Sequence, residues 1–83
     1  MTVSDAPVTM YSTSWCGFCL RLKVALKAAG IAYTNIDIDD DPAAADFVAS
    51  VNDGNRTVPT LLFADGSTMT NPSVKEIKAK LGR

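Results

Sequence analysis

Cys16 and Cys19 stand in the stretch Ser14-Trp15-Cys16-Gly17-Phe18-Cys19, and they are the only cysteines of an 83-residue chain that has no histidine. Two thiols this close can ligate a metal, form a structural staple or trade electrons. Structural zinc takes four ligands, mostly Cys or His. Two thiols without histidine fall short of that set, and no metal site is expected. A staple between such near neighbours closes a very short loop and constrains the unfolded chain little. The redox use fits best: a thiolate attacks a disulfide sulfur, and a second thiol nearby can displace the mixed disulfide that results.

The elements around the pair decide how it is presented. Residues 7–13 mix β-branched and aromatic side chains and read as a first strand. Beyond the cysteines, residues 20–30 are rich in Leu, Ala and Lys and read as a helix ending at Gly30. Residues 32–39 read as a second strand, with Ile36 and Ile38 on one face. Strand, helix and strand at this spacing form a βαβ unit with a right-handed crossover and parallel strands. Asp41 then caps a second helix with Pro42 at its first position. Ala44, Phe47, Val48 and Val51 give that helix its apolar face, and Asn52-Asp53-Gly54 ends it.

Residues 60–64 read as a buried strand. Asp65-Gly66 predicts a two-residue hairpin that returns residues 67–69 antiparallel. Ser73 and Glu76 match a capping box, and Val74, Ile77 and Leu81 form the inner stripe of a last helix. The order βαβαββα predicts an α/β fold, a four-stranded mixed sheet with three helices, in a single domain over residues 1–83.

That order puts the cysteines where the first strand gives way to the first helix, which is the setting of a thioredoxin-like redox motif. Unpaired N–H groups and the positive end of the helix dipole stabilise an anion there. Cys16 is therefore the expected thiolate. On a helical wheel Phe18, Leu22, Ala25, Leu26 and Ala29 share one face, read as the core face, and Cys19 borders it. Cys16 falls about 60° further round, beside Lys23 and Lys27. Cys16 is thus expected to be the exposed nucleophile and Cys19 the sheltered, resolving thiol.

Composition narrows the setting. Eight basic and nine acidic residues are scattered along the chain, so no nucleic-acid footprint is expected. No apolar run is long enough to span a bilayer, so no membrane partner is expected. Residues 1–12 lack the basic and apolar regions of a secretory signal, which points to the cytoplasm, where close cysteines are more often catalytic or metal-binding than stapled. Trp15 is expected to form a flat apolar wall beside the nucleophile. Asp39-Asp40-Asp41 reads as a strand end and helix cap, Arg56 as a solvated loop residue, and Tyr11 and Tyr33 as packing on the sheet.

The βαβαββα order, Trp15-Cys16-Gly17-Phe18-Cys19 and Thr57-Val58-Pro59 together resemble the glutaredoxins of the thioredoxin fold, over nearly the whole chain. More narrowly, residues 13–23, 55–60 and 63–73 resemble the mycoredoxins, actinobacterial glutaredoxin-like proteins that use mycothiol in place of glutathione. The resemblance implies that Cys16 takes the mycothiol sulfur from a mycothiolated protein. A second mycothiol then regenerates the thiol, and mycothiol disulfide reductase recycles the oxidised mycothiol with NADPH. Cys19 is implied as the resolving partner, dispensable for this monothiol route and needed for a dithiol route on protein disulfides. Mycothiol is implied as co-substrate, with no tightly bound cofactor, and the protein as a monomer.

The resemblance further implies a cis Val58–Pro59 bond facing Cys16, and substrate binding by Trp15, Phe18, Thr57, Val58, Pro59, Thr70 and Asn71. Thr70-Asn71 stands where glutathione-using relatives carry the Gly-Gly segment that grips a γ-glutamyl unit, and its short polar side chains suit the hydroxyls of mycothiol. The chain departs from many glutaredoxins in having Gly17-Phe18 in place of Pro-Tyr. Competing readings are an electron donor to ribonucleotide reductase recharged by thioredoxin reductase, and a module in which two chains hold an iron–sulfur cluster. The Trp-Ser-Gly-Phe segment of the former is missing near this C-terminus.

Overall fold

The computed structural model describes residues 8–82, so Pro7 of the expected first strand lies outside the described residues. In chain order the elements are β1 (Val8–Ser12), α1 (Gly17–Ala28), β2 (Tyr33–Asp37), α2 (Pro42–Val51), β3 (Thr60–Phe63), β4 (Thr68–Thr70) and α3 (Val74–Leu81). The sheet order is β2-β1-β3-β4. β1 pairs parallel with β2 and antiparallel with β3, and β4 pairs antiparallel with β3. The expected thioredoxin-type architecture, four mixed strands and three helices, is the one found.

Register brings the chemically suggestive segments to one edge. Ser12 at the end of β1 pairs with Asp37 at the end of β2. Tyr11 pairs with Thr60 at the start of β3, and Thr60 pairs with Thr70 at the end of β4. The segments beyond these positions, with Cys16, Asp39, Val58 and Asn71, therefore leave the sheet on the same side.

Strand alternation divides the core into two layers. Val8, Met10, Leu61 and Phe63 pack with Leu22, Leu26 and Ile31 of the α1 region and Ile77 of α3. Tyr11 packs with Ile38 and with Ala44, Ala45 and Val48 of α2. Both cysteines belong to the first layer.

The helix ends follow their sequence signals. The Asp41 carboxylate accepts the Ala44 N–H at 3.1 Å, and Ser73 and Glu76 form the reciprocal capping box. At the end of α1 the Ile31 N–H donates to the Leu26 carbonyl at 3.0 Å and the Gly30 N–H to the Lys27 carbonyl at 3.1 Å. Those two bonds, with buried Ile31 against Leu26 and Gly30 at φ +72, make a Schellman close. At the far end of the chain Lys80 ties α3 to the hairpin. Its Nζ lies 2.7 Å from the Asp65 carboxylate and 5.8 Å from the Phe63 ring centre. Hydrogen bonds from Lys80 and Ser67 hold the Asp65 carboxyl well below the usual range.

Two expectations are corrected. The β3–β4 hairpin has a three-residue loop, Ala64-Asp65-Gly66. The Gly66 N–H donates to the Phe63 carbonyl and the Phe63 N–H to the Ser67 carbonyl, both at 2.9 Å. A two-residue I′ turn needs positive φ at both centres, and here Gly66 alone has it, at +89. The Asp65 carboxylate accepts the Ser67 N–H and hydroxyl, which stabilises the longer loop and starts β4 at Thr68.

The second correction concerns the apolar faces of the helices. Phe18 is 61% exposed, and Val51 is also exposed, while Ala45 is buried instead. The wheel places Phe18 on the core face, and it instead lines a cleft shared with the start of α3. The start of α3 does not close over it, and an open cleft of about 310 Å³ lies between Phe18, Arg21 and Leu22 on one side and Asn71, Ser73 and Glu76 on the other.

The two glycines that bound α1 generate opposite predictions. A Cβ meets nothing within 4 Å at either Gly17 or Gly30, so only backbone conformation separates them. Gly30→Ala is expected to lose about 1–2 kcal/mol, the penalty of a left-handed alanine. Gly17→Ala is expected to gain roughly 0.5–1 kcal/mol, because alanine has less unfolded-state freedom to lose. Urea midpoints at unchanged slope measure both, and a Gly30→Ala protein as stable as the parent contradicts the close described above.

Candidate active site

Cys16 occupies the N-cap of α1, with extended φ −89 and ψ 111. Its Sγ accepts the Cys19 N–H at 3.1 Å, the place usually taken by a Ser, Thr, Asp or Asn oxygen. The sulfur therefore sits on the free amides and positive dipole end that favour negative charge. Across the gap, the Val58 carbonyl oxygen lies 3.9 Å from the same Sγ, a long contact to which a thiol donates. The Val58–Pro59 bond is cis.

The expected exposure of Cys16 is corrected: the residue is 8% accessible. The wheel treated it as a helical residue. As an N-cap in extended conformation it turns its side chain back over the first turn, towards Cys19 and under the Val58 segment. Cys19 is fully buried, at 0%. Burial pushes its thiol up from the ordinary 9 to about 12, helped by the hydrogen bond it gives to Cys16. Cys19 thus keeps its proton through the neutral range, and Cys16 is the more accessible of the two cysteines.

Around the sulfur the surface is apolar and open. Trp15 is 73% exposed, and its Nε1–H donates to the Asp39 carboxylate at 3.0 Å. Phe18 forms the opposite rim at the cleft that Asn71 also lines. Thr57 is exposed, Val58 half-buried and Pro59 buried. The Asn71 N–H donates to the Pro59 carbonyl at 2.8 Å, and Asn71 adopts φ +49.

Thr70 stands differently from the expectation of a ligand-facing hydroxyl. Thr70 is exposed, and its hydroxyl donates to the Asn52 side-chain oxygen at 2.7 Å, so its proton is engaged within the protein and only its lone pairs are left to a ligand. The structure therefore draws Cys16, Cys19 and Val58 into contact, sets Trp15, Phe18 and Asn71 around them, and ties the exposed Thr70 to Asn52.

Sequence reasoning passed over Asp39 and Asn52. Asp39 read as a strand end, and Asn52 as a helix stop. A usable pointer to Asp39 did exist, because ligand-facing groups gather beyond the carboxyl ends of parallel strands, and Trp15 and Asp39 follow two such ends. Nothing in local spacing points to Asn52.

A Cys-x-x-Cys pair capping the first helix of this sheet, with one thiol buried and protonated and the other facing a cis-proline loop, defines a thiol–disulfide oxidoreductase of the thioredoxin fold. The glutaredoxin family model matches residues 8–68. The chain is 67% identical over 76 residues to a Mycobacterium tuberculosis protein that carries the glutaredoxin name, covering 92% of this chain and 90% of that one. It is 47% identical over 74 residues to Mycoredoxin 1 of Corynebacterium glutamicum, covering 89% and 91%. The solved glutaredoxin of Archaeoglobus fulgidus is similar at a TM-score of 0.75 and 26% identity, over 93% of this chain and 87% of that one. This chain belongs to the glutaredoxin family.

The inequality of the thiols predicts selective alkylation. With iodoacetamide at pH 7–8, mass spectrometry of the reduced protein is expected to find one adduct, on Cys16. In Cys16→Ser, Cys19 is expected to react at least about tenfold more slowly than Cys16 does in the parent, since the thiolate is the reactive form. Its rate should climb only above the ordinary thiol range, because burial still opposes ionisation once Cys16 is gone. Equal labelling of both cysteines at pH 7 contradicts the assignment.

Proposed function

We propose that this protein removes mycothiol from mixed disulfides on other proteins, with Cys16 as nucleophile. The observation that carries the proposal is the Cys16 sulfur held as the cap of α1 against a protonated Cys19. The 47% identity to Mycoredoxin 1 supports mycothiol as the small thiol.

The Cys16 thiolate attacks the mycothiol sulfur of the target's mixed disulfide. The Cys16–mycothiol bond forms, the target's S–S bond breaks, and the target sulfur leaves as a thiolate that takes a proton from solvent. A second mycothiol, as thiolate, attacks the bound mycothiol sulfur. It releases Cys16 as thiolate and leaves oxidised mycothiol, which mycothiol disulfide reductase reduces with two electrons from NADPH.

On a protein disulfide, the Cys16 thiolate attacks one target sulfur and releases the other as thiolate. Cys19 then loses its proton and attacks the Cys16 sulfur, forming the Cys16–Cys19 disulfide and releasing the second target sulfur as thiolate. Two mycothiols reopen that disulfide as they become oxidised mycothiol. The geometry favours that order of events. The hydrogen bond to Cys16 and the Cys16 charge both help hold the Cys19 proton. Once Cys16 is in a mixed disulfide both are gone, and burial alone is left to oppose ionisation of Cys19.

Trp15 and Phe18 supply apolar contact on either side of the sulfur. The Val58 backbone offers hydrogen bonds to an extended segment, as an added strand would. Thr57, Pro59 and Asn71 complete the wall, and Thr70 acts through its neighbours. The proposed setting is the cytoplasm, with the protein a single-domain monomer and mycothiol its co-substrate.

The test is a peptide carrying a mycothiol mixed disulfide, with mycothiol, the reductase and NADPH, followed by NADPH absorbance. Cys16→Ser is expected to abolish turnover and Cys19→Ser to retain it. Glutathione with a glutathione reductase is expected to run at least about tenfold slower, a difference of about 1.4 kcal/mol. Equal rates with the two thiols remove the mycothiol assignment. Turnover in Cys16→Ser but not Cys19→Ser removes the role assignment.

A further inference from the structure

Asn52 ends α2, half-buried and remote in sequence from both cysteines. Its side-chain amide is engaged on every side. Nδ2 donates to the Val48 carbonyl at 2.8 Å and to the Thr60 hydroxyl at 3.1 Å, while Oδ1 accepts the Thr70 hydroxyl at 2.7 Å. The Thr60 hydroxyl, fully buried, passes its own proton to the Thr57 carbonyl at 2.7 Å. Only one orientation of the amide satisfies this set. Turned over, it would set two oxygens against each other at Val48 and leave Thr60 without a donor.

Thr57 and Thr60 bracket Val58-Pro59, the segment whose carbonyl lies 3.9 Å from the Cys16 sulfur. Thr70 precedes Asn71, whose N–H donates to the Pro59 carbonyl at 2.8 Å. One amide therefore holds the Thr57–Pro59 wall and the Thr70–Asn71 wall to the end of α2 and to each other. We infer that Asn52 is a positioning residue for disulfide exchange: through Thr60 and Thr70 it sets the gap between the two walls that a thiol-bearing substrate must enter to reach Cys16. It touches neither sulfur. An aspartate of the same shape is not an equivalent, because an ionised carboxylate donates nothing to Val48 or Thr60.

The inference rests on disulfide exchange at Cys16 and not on which small thiol serves. The test uses Asn52→Asp, Thr70→Val at its exposed position, and the pair together. Each variant is checked for fold by circular dichroism and assayed on the peptide–mycothiol mixed disulfide. If the parent turns over only the glutathione form of that peptide, the mycothiol assignment fails, and the comparison of variants proceeds on the glutathione form.

Asn52→Asp is expected to raise KM about tenfold, or about 1.4 kcal/mol, with kcat changed far less. The alkylation rate of Cys16 by iodoacetamide, which needs no wall, is expected to stay within about twofold of the parent. Thr70→Val is expected to raise KM by a smaller factor, and the double variant to be no worse than Asn52→Asp alone. If Asn52→Asp does not fold, the rise in KM for Thr70→Val at constant alkylation rate carries the test alone. An unchanged KM in the folded variants, alkylation and turnover falling together, or additive losses in the double variant each overturn the inference.

Discussion

The hydrogen bond from the Cys19 amide to the Cys16 sulfur, 3.1 Å long, is at once the cap of α1 and the centre of the chemistry. A helix start leaves amides that need partners, and here a sulfur meets that need. The same bond turns the Cys16 side chain back over the first turn and out of solvent. It also places Cys19 one turn into the helix, on the face that packs against Met10 and Leu61 in the core. The two thiols and the helix start are thus one arrangement, and none of them can be moved without the others.

From that arrangement follows the division of labour between two chemically identical groups. Burial keeps the Cys19 proton in place, and the hydrogen bond to Cys16 holds it further. Those causes differ in permanence. Burial is a property of the fold, whereas the bond to Cys16 lasts only while Cys16 is unmodified. In the exchange proposed for Cys16, the first covalent step therefore weakens what keeps the Cys19 proton in place.

Element order, the mixed four-stranded sheet and the caps at Asp41 and Ser73 were readable because each rests on local periodicity or on a short pattern with one physical meaning, whereas the sheet order β2-β1-β3-β4 came only from the structure. Readings that extended a local rule past its domain failed. The wheel put Phe18 on the core face, where no helix closes over it, and exposed a Cys16 that is a cap and not a helical residue. Asp65-Gly66 suggested the shortest hairpin, but the bonds Asp65 makes to Ser67 favour a longer loop. Asn52 and Asp39 were out of reach for a different reason. Thr70 lies 18 residues from Asn52 and Trp15 lies 24 from Asp39, and only the register of the sheet brings these pairs together.

Cys16 is nearly inaccessible, yet the residue before it and Phe18 just beyond it expose large apolar rings. Exposed rings contribute nothing to folding by burial, and their apolar area is available to a partner, at roughly 25 cal/mol for each Å² covered. Asp39 reduces the ordering cost on one side, because the indole N–H is already held. A sulfur at the bottom of such a rim is reached by a slender thiol-bearing group, and a broad folded surface must first present one. On the positioning inferred for Asn52, access for a thiol-bearing peptide, unlike that of a small reagent, is set by how far apart the Val58 and Asn71 walls stand. The specificity of the exchange then belongs as much to the scaffold that sets those separations as to the residues beside the sulfur.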